Sequence, residues 1–207
     1  IVYKGEKVAV EDENQNLEQW EQGWDKKSEG SVSLGLDGTY SQMLFDGTYK
    51  VVVPKSSSPF VYTNAEDPTT DTLTLVIKGN KTMVIEVTPY FMIRDEQFRY
   101  NPATDKMEAS CKVEQIITDP SIARNMGDVR VYVGKTAQLY QGSQINWHTL
   151  NMGNNPGGSI DNWLFSGPVV KKADFPTAQN YCYVRISTKP ANTTCWISTP
   201  VKKYFFD

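Results

Sequence analysis

The chain has 207 residues, 39% of them apolar and 22% charged, with a net charge of −3 and a pI of about 5.3. That length suits one large β domain or two small ones, with apolar content enough for a packed core. The acidic balance excludes the basic stripe that neutralises nucleic-acid phosphates and the polybasic face that holds a protein to anionic lipid, and no apolar run reaches the ~20 residues of a membrane helix.

Residues 1–10 (IVYKGEKVAV) predict an extended segment broken at Gly5. The start at Ile1 without a Met is expected to mark a trimmed chain, from which a leader or lipid anchor has been removed. Glu11–Asn16 (EDENQN) is a polar loop without the ligand spacing of a calcium site. Leu17, Trp20 and Trp24 then recur at i, i+3 and i+7 among good helix formers, so local rules predict a helix, which Gly23 interrupts. Trp20 is expected in the core and Trp24 near the surface.

Ser31–Leu36 alternates Val32, Leu34 and Leu36 on one face, the pattern of a half-buried strand. Asp-Gly-Thr-Tyr follows twice, at Asp37–Tyr40 and Asp46–Tyr49. Asp-Gly signals a turn, and Thr-Tyr suits the start of a strand, so the unit predicts turn, short strand, turn, strand. Thr48–Val53 is a strand stopped by Pro54, and Lys55–Asp71 is a long polar loop. Leu73–Ile77 and Met83–Val87 predict a hairpin closed by Lys78–Thr82 (KGNKT).

Pro89 cannot donate to a β-ladder, so the strand is expected to end or change sheets there. We therefore divide the chain into residues 1–89 and 90–207, with Tyr90 and Phe91 filling the seam. The second unit opens with Phe91–Tyr100, a turn at Asn101–Asp105, and Lys106–Ile116, which puts Met107, Ala109, Cys111 and Val113 on one face. Asp128–Val133 turns Val129, Val131 and Val133 inward. Tyr181–Ile186 turns Cys182, Val184 and Ile186 inward and Tyr183 and Arg185 outward. A last strand covers Cys195–Val201, with Trp196 as a packing residue, and the aromatic tail Val201–Phe206 either docks as a strand or meets a partner. Short alternating strands between Pro, Gly and Asn turns predict an immunoglobulin- or fibronectin-like sandwich.

Three cysteines without CxxC grouping give neither a metal site nor a disulfide framework, so free buried thiols are expected. If one bridge forms, the inward positions on an early and a penultimate strand make it Cys111–Cys182.

The DGTY…LFDGTYKV core, the DTLTLVIKG and IEVTPYF segments, and the VYVGKTA and YVRI strands resemble a two-domain family of Bacteroidetes lipoproteins encoded beside outer-membrane polysaccharide-uptake genes. The resemblance spans nearly the whole chain. It implies an all-β protein of two tandem β-sandwiches: an N-terminal transthyretin-like (carboxypeptidase regulatory-like) one and a C-terminal fibronectin-type-III-like one. It also implies a strand rather than a helix around Trp20. It further implies a surface-exposed lipoprotein of the outer membrane, held there only by its lipid anchor, near a transporter and its SusD-like partner. It supplies no catalytic, metal or cofactor residues.

The residues themselves give little chemistry of catalysis. GxSxG, HExxH and a phosphate-binding Gly-rich loop are absent, and His148 is the only histidine, so no enzyme activity, cofactor or metal is expected. Gln141–Gly167 is a different matter: a long loop-rich stretch with two Trp, the His and many Asn. Sugar binding needs flat aromatic faces for the C–H side of a pyranose, with amides and carboxylates for its hydroxyls. Trp147, His148, Asn151, Asp161, Asn162 and Trp163 form the candidate platform, and Trp24 is a second candidate. The expectation is a non-enzymatic glycan-binding surface on the C-terminal unit, with the N-terminal unit as a spacer. The alternative is an adaptor for neighbouring proteins, which would show an exposed apolar patch.

Overall fold

The computed structural model describes residues 1–11, 16–23, 30–55, 58–65, 67, 69–151, 160–165 and 167–206; for residues 16, 30–31, 148–151 and 160–165 the description is of the backbone alone. The first half contributes β1 (Val2–Tyr3), β2 (Glu6–Lys7), β3 (Ala9–Val10), β4 (Asn16–Glu21), β5 (Gly30–Ser33), β6 (Gly47–Val52), β7 (Phe60–Val61), β8 (Thr72–Ile77) and β9 (Thr88–Pro89). The second contributes β10 (Phe91–Asn101), β11 (Lys106–Gln115), β12 (Met126–Gly134), β13 (Asn146–Asn151), β14 (Ile160–Phe165), β15 (Tyr181–Pro190), β16 (Ile197–Ser198) and β17 (Lys202–Phe205). The result is an all-β protein of two tandem β-sandwiches, as the sequence leads one to expect.

In the first unit a four-stranded antiparallel sheet runs β5-β4-β6-β8. Its inner face follows the period-two pattern: Leu17, Val32, Tyr49, Val51, Leu73 and Leu75 are buried in one cluster. The stretch around Trp20 is a strand, β4, and the helical spacing of its Trp residues is incidental. As a strand it buries Leu17 completely, worth about 2 kcal/mol, and turns Gln19 inward with it. Trp20, expected in the core, is half-buried on the opposite face, where alternation must put it.

The hairpin expected at Lys78–Thr82 does not form. Residues 81–87 leave β8 and cross to the other layer, where Val2 donates to the Ile85 carbonyl at 2.9 Å and Val87 donates to the Val2 carbonyl at 2.8 Å. Ile85 and Val87 are buried in the same core from the opposite side. Alternation was legible here, but two strands with inward faces can close a core from opposite sheets as well as from one, and the turn signal did not distinguish them.

The second unit pairs β10 with β11 and β14 in one sheet, and in the other runs β13-β12-β15-β16-β3, with β17 also on β15. Met107, Ala109, Cys111, Val113, Val129, Val131, Val133, Cys182, Val184 and Ile186 all face the interior, as alternation predicts. Tyr90 and Phe91 lie in this second core, against which Val61 of the first unit packs, while Met92 packs in the first core and the Tyr90 N–H donates to the Pro59 carbonyl at 3.1 Å. The aromatic tail docks as β17. All three cysteines are free and buried, and burial pushes the Cys111 and Cys182 thiols up to about 12.

The two units are not beads on a linker. β3, from the first ten residues, adds to the second unit's sheet by pairing Val10 with Ile197 and Ala9 with Ser198. This brings the N-terminal segment over the outer face of that sheet, and Arg185 shows the consequence. Alternation puts it on the outer face of β15, yet it has 0% exposure. Its guanidinium donates to the carbonyls of Leu139 at 2.9 Å, Thr199 at 3.1 Å and Leu36 at 3.5 Å, joining both units.

Candidate functional site

The structure distributes the residues that the sequence groups together over two strands of different sheets. Trp147 and His148 lie on β13, at the edge of the larger sheet, opposite Tyr132 and Val131; Asn151 ends the same strand opposite Asp128. Asp161, Asn162 and Trp163 lie on β14 in the other sheet, with Trp163 opposite the core position Cys111. The loop expected over Gln141–Gly167 thus contains two strands on different layers, and Trp147 and Trp163 do not share a sheet. The side chains of His148, Asn151, Asp161, Asn162 and Trp163, and all of Trp24, lie outside the described residues.

Trp147 has other company. Its side chain is 45% exposed, and the Arg130 guanidinium sits 5.0 Å from its ring. The same guanidinium lies 4.2 Å from the ring of Trp196, which also carries the Lys189 ammonium at 5.1 Å. Arg130 is therefore held between two indoles, and the outer one keeps much of its surface open to solvent. Cation–π contacts of this kind contribute about 0.5–2 kcal/mol each, more as water is excluded.

Hydrogen bonds fix the geometry. Arg130 Nη1 donates to Gln141 Oε1 at 2.7 Å and to the Tyr132 hydroxyl at 3.2 Å. The Gln141 amide donates to Glu11 Oε1 at 3.1 Å, and the Glu11 amide donates to the Trp196 carbonyl at 3.2 Å. Lys189 pairs with Asp128 at 3.7 Å, and the Ser187 and Ser198 hydroxyls bond at 2.7 Å. The alternation of β12 and β15 explains the array: Asp128, Arg130 and Tyr132 share one face of the sheet, and Lys189, Ser187 and Arg185 lie directly opposite them on that same face. Sequence reasoning singled out Trp147 but missed Arg130, Gln141 and Glu11. The every-second polar residue in Asp128–Val133 was the available signal; what it lacked was the identity of the facing strand.

Glu11 is only 2% exposed. Burial raises its carboxyl above the ordinary value of 4.5, while the Tyr132 and Ser187 hydroxyls and, behind them, the Arg185 and Arg130 charges pull it down. Burial likewise lowers Arg185 to about 10, which leaves it charged at neutral pH. A carboxyl with a raised folded-state pKa binds more protons folded than unfolded. Its stabilising contribution is therefore present at acid pH and is lost as pH rises from 4.5 through the folded value. Urea denaturation between those limits should show a steeper fall of stability in the wild type than in Glu11→Gln; parallel pH profiles would contradict the direction of the shift.

Among the described residues no three His, Cys, Asp or Glu side chains gather as a metal ion would require, and no helix is long and apolar enough to cross a membrane. What the array offers chemically is a flat, solvent-facing indole backed by a fixed cation, beside an amide.

The model of the "Protein of unknown function (DUF3823) N-terminal domain" matches residues 1–88, and that of the "Domain of unknown function (DUF3823_C)" matches residues 91–203. The chain belongs to the DUF3823 family. The crystal structure of a DUF3823 family protein from Bacteroides ovatus ATCC 8483 superposes with a TM-score of 0.76 at 22% identity, covering 100% of this chain and 96% of that one. A DUF3823 family protein from Parabacteroides merdae ATCC 43184 gives 0.77 at 24% identity, covering 98% and 94%. A structure from Bacteroides uniformis ATCC 8492 named a "putative carbohydrate binding protein" gives 0.74 at 13% identity, covering 100% and 95%. At these identities the likeness establishes a shared fold. No curated protein matches the chain.

Proposed function

We propose that this DUF3823 protein is a non-enzymatic carbohydrate-binding protein that captures or presents polysaccharide at the outer surface of the cell. In this reading it is a lipid-anchored component beside an outer-membrane transporter and its SusD-like partner. The observation that carries the reading is the Trp147 indole, 45% exposed and held in place by Arg130. A pyranose presents a C–H face to such a ring and hydroxyls to its polar surroundings, here Gln141 and the Arg130 guanidinium. The name given to the Bacteroides uniformis structure of the same fold agrees with it.

Isothermal titration against a panel of plant and host glycans tests the proposal. One class should bind, and Trp147→Ala should weaken it by about 2 kcal/mol, roughly thirtyfold in Kd, without loss of fold. Failure of every glycan, or unchanged binding by the variant, would sink it.

A second reading, an adaptor for neighbouring proteins of an uptake complex, has one observation in its favour. Met43 and Phe45, on the segment before β6, are 98% and 89% exposed, and Val76 on β8 and Val84 beyond it are exposed as well. Large apolar side chains left in water in this number point to a contact surface. Co-purification with envelope proteins in the absence of glycan, abolished by Phe45→Ser, would favour the adaptor.

A further inference from the structure

We propose that Glu11 is a positioning residue for the Trp147 platform, so that the N-terminal unit completes the site rather than merely carrying it. The inference rests on the carbohydrate reading above for its purpose, and on geometry alone for its mechanism.

Glu11 belongs to the N-terminal unit, directly after β3, yet it contacts the inner wall of the Arg130 slot and the residue that anchors Arg130 within it. Through its backbone N–H it holds the Trp196 carbonyl, and Trp196 forms the inner wall. Through Oε1 it accepts the Gln141 N–H, and Gln141 uses its side-chain oxygen to hold Arg130. Arg130 in turn backs the exposed indole of Trp147. The contacts form one short chain: Glu11, Gln141, Arg130, Trp147.

Each link is directional. Gln141 is exposed, and a turn residue in water has no intrinsic reason to hold its amide oxygen over Arg130. Fixing its backbone N–H to a buried acceptor supplies one. Arg130 lies on β12, whose own ladder fixes its backbone, but its guanidinium is held by Gln141 at 2.7 Å, by the Tyr132 hydroxyl at a longer 3.2 Å, and by the two rings. With Gln141 freed, the guanidinium can swing toward water, and Trp147 loses the surface that sets its plane. A glycan must then select the competent rotamers from a mixture, which weakens apparent affinity by the fraction populated.

The geometry explains why a carboxyl sits in so dry a place. Covering the outer face of β12 and β15 with the N-terminal segment buries Glu11 beside Arg185, at a desolvation cost. An apolar residue there could maintain the packing; it could not accept the Gln141 N–H.

The test uses the full chain. Glu11→Gln keeps an acceptor oxygen in place; Glu11→Ala removes it; Gln141→Ala cuts the next link at the surface and leaves the core untouched. Two readouts are taken on folded protein. The first is the NMR position of the Arg130 side-chain NH signals, which two flanking indoles displace upfield by ring current and which needs no glycan. The second is Kd for the glycan that the titration panel identifies. Glu11→Ala and Gln141→Ala should both move the Arg130 signals toward the free-arginine position and weaken binding ~tenfold, with Glu11→Gln within about twofold of wild type.

Arg130 signals that stay in place in both Ala variants would overturn the inference. So would a Glu11→Ala protein that melts earlier but binds as well as wild type, since the residue would then serve the fold alone. If the Arg130 signals move as expected but no glycan binds the wild type, the carbohydrate reading fails and the positioning role stands.

Discussion

Replacing Arg185 by Ala should destabilise the protein by about 3–5 kcal/mol, the largest effect of any single side-chain truncation outside the apolar cores. Arg185 is wholly buried, and its guanidinium serves carbonyls of Leu139, Thr199 and Leu36. Truncation leaves the Leu139 and Thr199 carbonyls buried without this donor, removes a cation beside buried Glu11, and opens a cavity. Arg185→Lys should recover little, because one ammonium cannot span three carbonyls in a guanidinium's planar geometry. Urea denaturation of the three proteins measures this directly. A loss below about 1 kcal/mol for Arg185→Ala would mean that the junction between the units is wetter than its geometry shows.

Gly38→Ala should cost about 3 kcal/mol or more, whereas Gly47→Ala, in the other copy of the same tetrapeptide, should stay within about 0.5–1 kcal/mol of wild type. Gly38 has φ +74°, and a Cβ there would lie 2.1 Å from the Val8 carbonyl oxygen. Both partners are backbone, and Val8 is fully buried in the segment leading to β3, so neither can yield cheaply. Gly47 begins β6 in ordinary extended backbone, and its Cβ would meet the Glu21 Oε1 at 2.8 Å, the far end of a flexible side chain. Thermal melts of the two variants side by side are the measurement. Equal losses would contradict the claim that the two copies do different work.

That contrast shows what the sequence could convey. Period-two alternation revealed which residues face inward on β5, β11, β12 and β15, because a strand's facing is a local property. Partnership is not local. The two Asp-Gly-Thr-Tyr copies read alike, yet only at the first would a Cβ on the glycine strike another segment's backbone. Met83–Val87 carried a strand's pattern but closed the first core from the other layer. Arg185 read simply as an outward residue, because nothing near it in the chain announces that Glu11 and the Leu36 carbonyl will meet it.

The candidate site divides in the same way. Trp147 was legible as a polar-handled aromatic in amide-rich surroundings. Arg130, Trp196 and Gln141 approach it only through the pairing of β12 with β13 and β15, and Glu11 only through the addition of β3 to the sheet. Grouping Trp147 with Trp163 followed their nearness in the chain, whereas the fold assigns their strands to different sheets.

The most direct measurement is a titration of isotope-labelled protein with the glycan identified by the panel, following backbone amide and indole N–H signals residue by residue. The Trp147 indole, Arg130 and Gln141 should shift together and saturate with one Kd, while Met43 and Phe45 stay still. Shifts confined to the Met43–Phe45 segment, or saturable binding that leaves Trp147 untouched, would place recognition elsewhere and contradict the account.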